Sequence, residues 1–123
     1  MNILFIGLGG FAGAVSRYVL DGWVSSATGG AFRWGTLVIN VTGSMAIGIL
    51  YAITTDRGLL PADLRGPLMV GFVGAYTTFS TLMLESWRLA DDGAWLLAAG
   101  DVALSIGLGF VAVLVGLAVG RTI

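Results

Sequence analysis

The chain has 123 residues, of which 57% are hydrophobic and 20 are glycine, and a mean hydropathy of +0.95. A formal charge of −1 with no lysine leaves no basic surface for nucleic acid. The lack of cysteine rules out a disulfide framework, and the lack of histidine removes the commonest metal and acid–base ligand. This is the composition of an integral membrane protein, in which glycine is commoner than in soluble helices.

Four apolar stretches are expected to form transmembrane helices, approximately residues 2–24, 34–54, 65–87 and 94–120. Each is near the ~20 residues that a helix needs to cross about 30 Å of hydrocarbon. Met1 to Val24 has no basic n-region and runs on as a long span, so it is expected to be a first membrane helix rather than a cleaved leader. That helix aligns Gly9, Gly13 and Arg17 on one stripe. The break Ser25–Gly30 follows. In the second span Thr36, Asn40, Ser44 and Gly48 recur at i+4 and share a face. Asn40 is the sharpest residue there, because a buried carboxamide needs partners for two donors and an acceptor. It serves either a polar path or the locking of two helices.

The break Thr55–Asp63 contains Pro61, and Pro67 sits in the first turn of the third span, where proline is tolerated. The third span carries the most telling stretch, residues 71–85. Thr77, Thr78, Ser80 and Thr81 crowd beside Gly74 in a segment otherwise apolar enough for a bilayer. Polar or irregular backbone survives at that depth only when buried in protein or lining a wet cavity. A break in this helix near Gly74–Thr78 would free N–H groups at one half-helix end and carbonyls at the other. After Asp91–Gly93, the fourth span places Asp101 and Ser105 on one face with Gly109, and its small residues Gly109, Ala112, Gly116 and Gly120 on a stripe. Trp23, Trp34, Trp87 and Trp95 fall at segment ends, where interfacial aromatics belong. The expected architecture is one all-α domain, residues 1–123.

Arginines are nearly balanced between the two sides. Arg57, Arg65 and Arg121 lie on one, Arg33 and Arg88 on the other, with Arg17 joining the second side if it reaches that interface. Such a balance gives almost no orientation. Either the chain inserts both ways up, or partners and lipids decide. The first is the favoured reading. The two small-residue stripes allow close helix approach, within one chain or between copies, and their number favours an oligomer, most simply a dimer.

No Ser/His/Asp arrangement, metal cluster, phosphate loop or short-spaced carboxylate pair is present, so an enzyme is not expected. What remains is a track of hydrogen-bond donors suited to a pore for a small ion. Hydroxyls serve either sign, whereas the Asn amide and aromatic ring edges favour an anion. Arg17 and Glu85, near helix ends, can snorkel or pair across a vestibule. Asp101, roughly two turns into its helix, is expected to meet water or a donor.

Residues 9–18 (GGFAGAVSRY), 35–44 (GTLVINVTGS) and 71–81 (GFVGAYTTFST) resemble the signatures of the Fluc/CrcB fluoride channels. The match covers essentially the whole chain, in order. The resemblance implies four-helix subunits in antiparallel dual-topology dimers in the cell membrane, exporting fluoride passively, with a structural sodium ion at the dimer centre. It places the sodium-holding carbonyls on Gly74 and Thr77, and the pore asparagine on Asn40. The first pore phenylalanine falls on Phe79. Ser80, Thr81 and Leu82 beside it are expected to line the pore, the two hydroxyls as donors to fluoride. The vestibule acid falls on Glu85, the first-helix arginine on Arg17 and a fourth-helix serine on Ser105. Thr36, Ser44 and Asp101, read from their helical spacing and depth, complete the expected polar track.

Two residues depart from the family. Leu82 stands where a second pore phenylalanine is usual, and Asp101 where Tyr or Asn is common. Both keep open a partner subunit of a heterodimeric channel. A proton-coupled exporter of the small multidrug type is a remote alternative, since it needs a mid-helix acid in the first span and only Asp21, near that helix end, is available.

Overall fold

The computed structural model describes residues 3–29 and 32–123, and every regular element among them is helical. The expected start at residue 2 and the Gly30 end of the first break lie outside the described residues. Helix α1 spans Ile3–Thr28, four residues past the expected end. In its last turns two hydroxyls bond back to carbonyls of their own helix. Ser26 Oγ donates to Gly22 O at 2.7 Å and Thr28 Oγ1 to Val24 O at 2.8 Å. Gly29, at φ +40°, then ends the helix in a conformation few other residues adopt.

Helix α2, Trp34–Tyr51, runs without a break into a π-helical turn, Ala52–Asp56, so the second span covers Trp34–Asp56. The Arg57 N–H closes that turn onto Ala52 O at 2.9 Å. The third span, Ala62–Asp91, is composite. A 3₁₀ turn at Ala62–Leu64 and a π-helical segment at Gly66–Val73 lead into the short helix α3, Gly74–Tyr76. The chain is extended at Thr77 and Thr78, and α4 resumes at Phe79–Asp91. The break expected near the middle of this span is therefore present. The fourth span is α5, Trp95–Thr122. All four spans are long and apolar enough to cross a membrane, and Trp23, Trp34, Trp87 and Trp95 stay exposed near their ends.

Small residues decide which helices meet. Gly9 and Gly13 of α1 lie against the backbone of Pro67 and Phe72, and Gly71 returns the contact toward Ile6 and Gly10. On the other side of the molecule, Gly116 of α5 faces the backbone of Met45 and Ile49, and Gly120 faces Ala52. Much of both stripes is thus occupied within one chain, one of the two uses that their spacing allows. The physical reason is geometric: α2–α5 and α1–third-span contacts are the most extensive in the fold, and backbones this close leave no room for a Cβ.

Gly116→Leu is accordingly expected to lower stability by about 1–3 kcal/mol, the range for overpacking. Gly107→Leu, on the same helix with open space around its Cα, should change little. Thermal unfolding midpoints in detergent measure both.

Candidate functional site

The site begins at the break in the third span. Thr77 (φ −78°, ψ 158°) and Thr78 (φ −152°, ψ 111°) leave helical geometry, which strips nearby peptide groups of their partners. Asn40 on α2 meets Thr78 with both ends of its carboxamide. The Thr78 N–H donates to Asn40 Oδ1 at 2.8 Å, and Asn40 Nδ2 donates to Thr78 O at 3.0 Å. Thr78 in turn caps α4, its Oγ1 accepting from the Thr81 N–H at 3.3 Å while its hydroxyl donates to Thr81 Oγ1 at 2.9 Å.

These bonds have a consequence for the carbonyls upstream. In a continuous helix the N–H groups of Thr78 and Thr81 would close onto Gly74 O and Thr77 O. Here both donate to side-chain oxygens instead, so the Gly74 and Thr77 carbonyls lose their helical donors. The C-terminal end of α3 and the N-terminal end of α4 meet within two residues, offering opposite partial charges.

A cavity of about 270 Å³ opens beside the break. Asn40, Ser44, Thr77, Thr78, Phe79, Leu82 and Ser105 line it, with Ile47, Val73 and Ile106 supplying apolar wall. Five of the sequence-predicted pore and track residues, Asn40, Ser44, Phe79, Leu82 and Ser105, are therefore brought together, along with Thr77. Ser44 Oγ is spent on Asn40 O at 2.6 Å, whereas the buried Ser105 hydroxyl has no partner. Leu82 is buried against the cavity, and Phe79 leaves 70% of its surface exposed in the single chain. Ser80 and Thr81 do not line the cavity: Ser80 is exposed and Thr81 is turned to Thr78. Thr42 and Tyr76 share a hydroxyl–hydroxyl bond of 2.9 Å on the exposed side of the break.

Toward the loop that joins α4 to α5, the polar residues continue as a charged mouth. Glu85 is buried, and its Oε1 accepts from Thr36 Oγ1 at 2.9 Å and from Arg33 Nε at 3.2 Å. Arg33 also reaches Asp21 Oδ2 at 3.6 Å through Nη2. Asp101 is 1% exposed; its Oδ2 accepts from Ser86 Oγ at 3.1 Å, so the donor expected for it is serine. Glu85 Oε2 and Asp101 Oδ1 have no hydrogen-bond partner.

Arg17 is not part of this mouth. It is half-buried on α1, and no ion pair or hydrogen bond of its side chain occurs among the described residues. The acid that sequence reasoning allowed it to pair with is held by Arg33 instead. Arg33 directly precedes α2 and lies three residues before Thr36, so a short reach brings both to the same carboxylate. Sequence reasoning counted Arg33 only as a loop charge. Its closeness to the Thr36–Asn40–Ser44 stripe was the available signal.

Among the described residues no group of three or more Asp or Glu side chains could hold a metal. The arrangement offers amide and hydroxyl donors at mid-span, with a buried carboxylate, Glu85, one helical turn beyond Leu82 on α4. That suits selective passage or binding of a small ion.

Comparison with known proteins agrees. The family model described as CrcB-like protein, Camphor Resistance (CrcB), matches residues 4–117. The chain is 44% identical over 123 residues to the fluoride-specific ion channel FluC of Magnetococcus marinus, covering 100% of both chains. It is 39% identical over 122 residues to the FluC of Hahella chejuensis, covering 99% of this chain and 96% of that one. It is 44% identical over 108 residues to the FluC of Rhodospirillum rubrum, covering 86% and 84%. The chain belongs to the CrcB family of fluoride-specific ion channels.

Proposed function

We propose that this chain conducts fluoride passively out of the cell across the cytoplasmic membrane, as an antiparallel pair with a structural sodium ion between the copies. The observation that carries the reading is the Asn40 clamp on the broken third span, set beside the free Ser105 hydroxyl and the Phe79 ring. Fluoride is strongly hydrated, so a pore must replace its water with donors. Asn40 and Ser105 supply amide and hydroxyl donors, and a ring edge at Phe79 is electropositive. Glu85 and Thr36 belong to the entrance, with Arg33 balancing the acid.

A second copy follows from what a single copy leaves uncovered. The exposed Ser80 and the Gly74 and Thr77 carbonyls, released from helical bonding, are too polar to face lipid, and burial in protein or around a wet cavity is the remedy. The near-balance of arginines favours a copy inserted the other way up. The Gly74 and Thr77 carbonyls fit a hard cation, being oxygens released from helical bonding. One chain offers two such oxygens, and a symmetric pair doubles them. Sodium held there supplies a fixed charge that joins the two breaks.

Fluoride efflux from liposomes carrying the purified chain, followed with a fluoride electrode, tests the main reading. Efflux should exceed that of empty liposomes and should not be matched by chloride. Replacing sodium by a large organic cation on both sides should abolish it, while a sodium gradient of either sign should leave its rate unchanged. A rate that follows the gradient would contradict a structural ion.

Leu82 favours a second reading, in which the chain completes the pore of a related, unlike subunit. An aliphatic side chain at the cavity wall lacks the electropositive edge of a phenyl ring. Flux that appears only on co-expression with a related chain would select it. Under the homomeric reading, Leu82→Phe should raise flux through the single chain severalfold.

A further inference from the structure

Asp101 is the one acidic side chain on α5, and it belongs neither to the cavity lining nor to the Arg33–Glu85–Thr36 cluster. Its carboxyl is 1% exposed, takes a single hydrogen bond from Ser86, and leaves Oδ1 without a partner. Among the described residues no arginine forms an ion pair with it. Four residues on, and so about 6 Å along the same helical face, lies Ser105, whose unpartnered hydroxyl lines the cavity. A polar side chain this well buried is aimed either at a proton of its own or at something passing.

We propose that Asp101 sets the conductance of this pathway through its protonation state. As a carboxylate it bars anions from the cavity one turn below. As a carboxylic acid its O–H becomes a further donor in line with Ser105 and Asn40. The proton comes from, and returns to, the water of the mouth. This inference rests on the fluoride reading and adds to it a residue that determines when the anion passes.

The groups facing Asp101 are few. Helix α4 brings Ser86 and Glu85, whose charge reaches Asp101 but whose Oε1 is held by Arg33 and Thr36. Helix α2 has no titratable side chain before Tyr51 at its far end. The π-helical turn Ala52–Asp56, also packed on α5, ends in Asp56, which is paired with Arg121 at the opposite end of the helix. Asp21 lies beyond Arg33. A negative charge at Asp101 therefore has no cation beside it among the described residues, and it stands one helical turn from the Ser105 that lines the cavity.

The test is fluoride efflux from one liposome preparation at pH about 8, 7, 6 and 5, a range that spans ordinary and perturbed carboxyl titration. Protein-free liposomes measure the leak of undissociated acid for subtraction. The wild-type rate should rise by about tenfold or more as pH falls, a modest fraction of what one charge within 6 Å exerts. Asp101→Asn, which keeps donors and removes the charge, should run at or above the acid wild-type rate at every pH.

A merely structural Asp101–Ser86 tie would move stability and leave the pH profile flat. A flat wild-type profile overturns the proposal without needing any variant to fold. So does a step that survives in Asp101→Asn, or one that vanishes in Glu85→Gln while Asp101→Asn keeps it. Efflux absent at every pH would overturn the fluoride reading itself, whereas efflux without a pH step overturns only this one.

Discussion

Asn40→Asp is expected to cut fluoride efflux by at least about a hundredfold, because it places a charge where the anion must shed water. The new carboxylate still accepts from the Thr78 N–H, a bond of 2.8 Å in the wild type, so the break keeps half of its clamp. It cannot donate to Thr78 O, which loses its 3.0 Å partner. That orphaned carbonyl costs about 1–3 kcal/mol, a loss the four-helix fold should survive. Asn40→Ala removes both bonds and the charge problem together. If Asn40 served only to lock α2 to the third span, Asn40→Ala would be at least as damaging to flux as Asn40→Asp. If it faces the ion, the aspartate is the worse of the two. Circular dichroism and size-exclusion behaviour in detergent show whether both variants remain folded, and the efflux assay ranks them.

What could be read from the chain follows from how strongly the membrane constrains it. A bilayer core demands that every spanning segment satisfy its own backbone, and continuous apolar runs of about 20 residues do so as helices, so four spans and their tryptophan-marked ends were legible in the sequence. The break was legible for the same reason: Thr77, Thr78, Ser80 and Thr81 are too many hydroxyls for an ordinary span. The fourfold spacing of Thr36, Asn40 and Ser44 put them on one face, and the structure places Asn40 and Ser44 at the cavity and Thr36 at Glu85.

Contacts between spans were harder to foresee. A glycine stripe states that something comes close and does not say what, and here α1 and α5 spend theirs inside the chain. The π-helical turns at Ala52–Asp56 and Gly66–Val73 leave no residue signature, since they reflect how backbones settle against neighbouring helices. Arg33 escaped notice because a charge beside a loop usually faces water. Only the fold brings the Glu85 carboxylate within its reach.

That last contact leads to the second large effect. Arg33→Met should destabilise the chain by about 1–3 kcal/mol, less than the loss of a fully buried partner because Arg33 is itself half exposed. The loss arises at Glu85, which is 6% exposed and would keep only the Thr36 hydroxyl as a donor. Removing the stranded charge should therefore restore much of the stability. In Arg33→Met/Glu85→Gln the neutral amide still accepts from Thr36 and no longer needs a cation. The double variant should recover at least half of the single variant's loss, so the two changes are strongly non-additive. Thermal unfolding midpoints of the two single variants, the double variant and the wild type in one detergent measure this coupling. Additive losses would mean that Arg33 is held by Asp21 alone, at 3.6 Å, and that Glu85 is balanced by some other group. Flux separates the roles further. If Arg33 balances the acid at the entrance, Arg33→Met slows fluoride entry, and Glu85→Gln in the same chain returns it toward the wild-type rate.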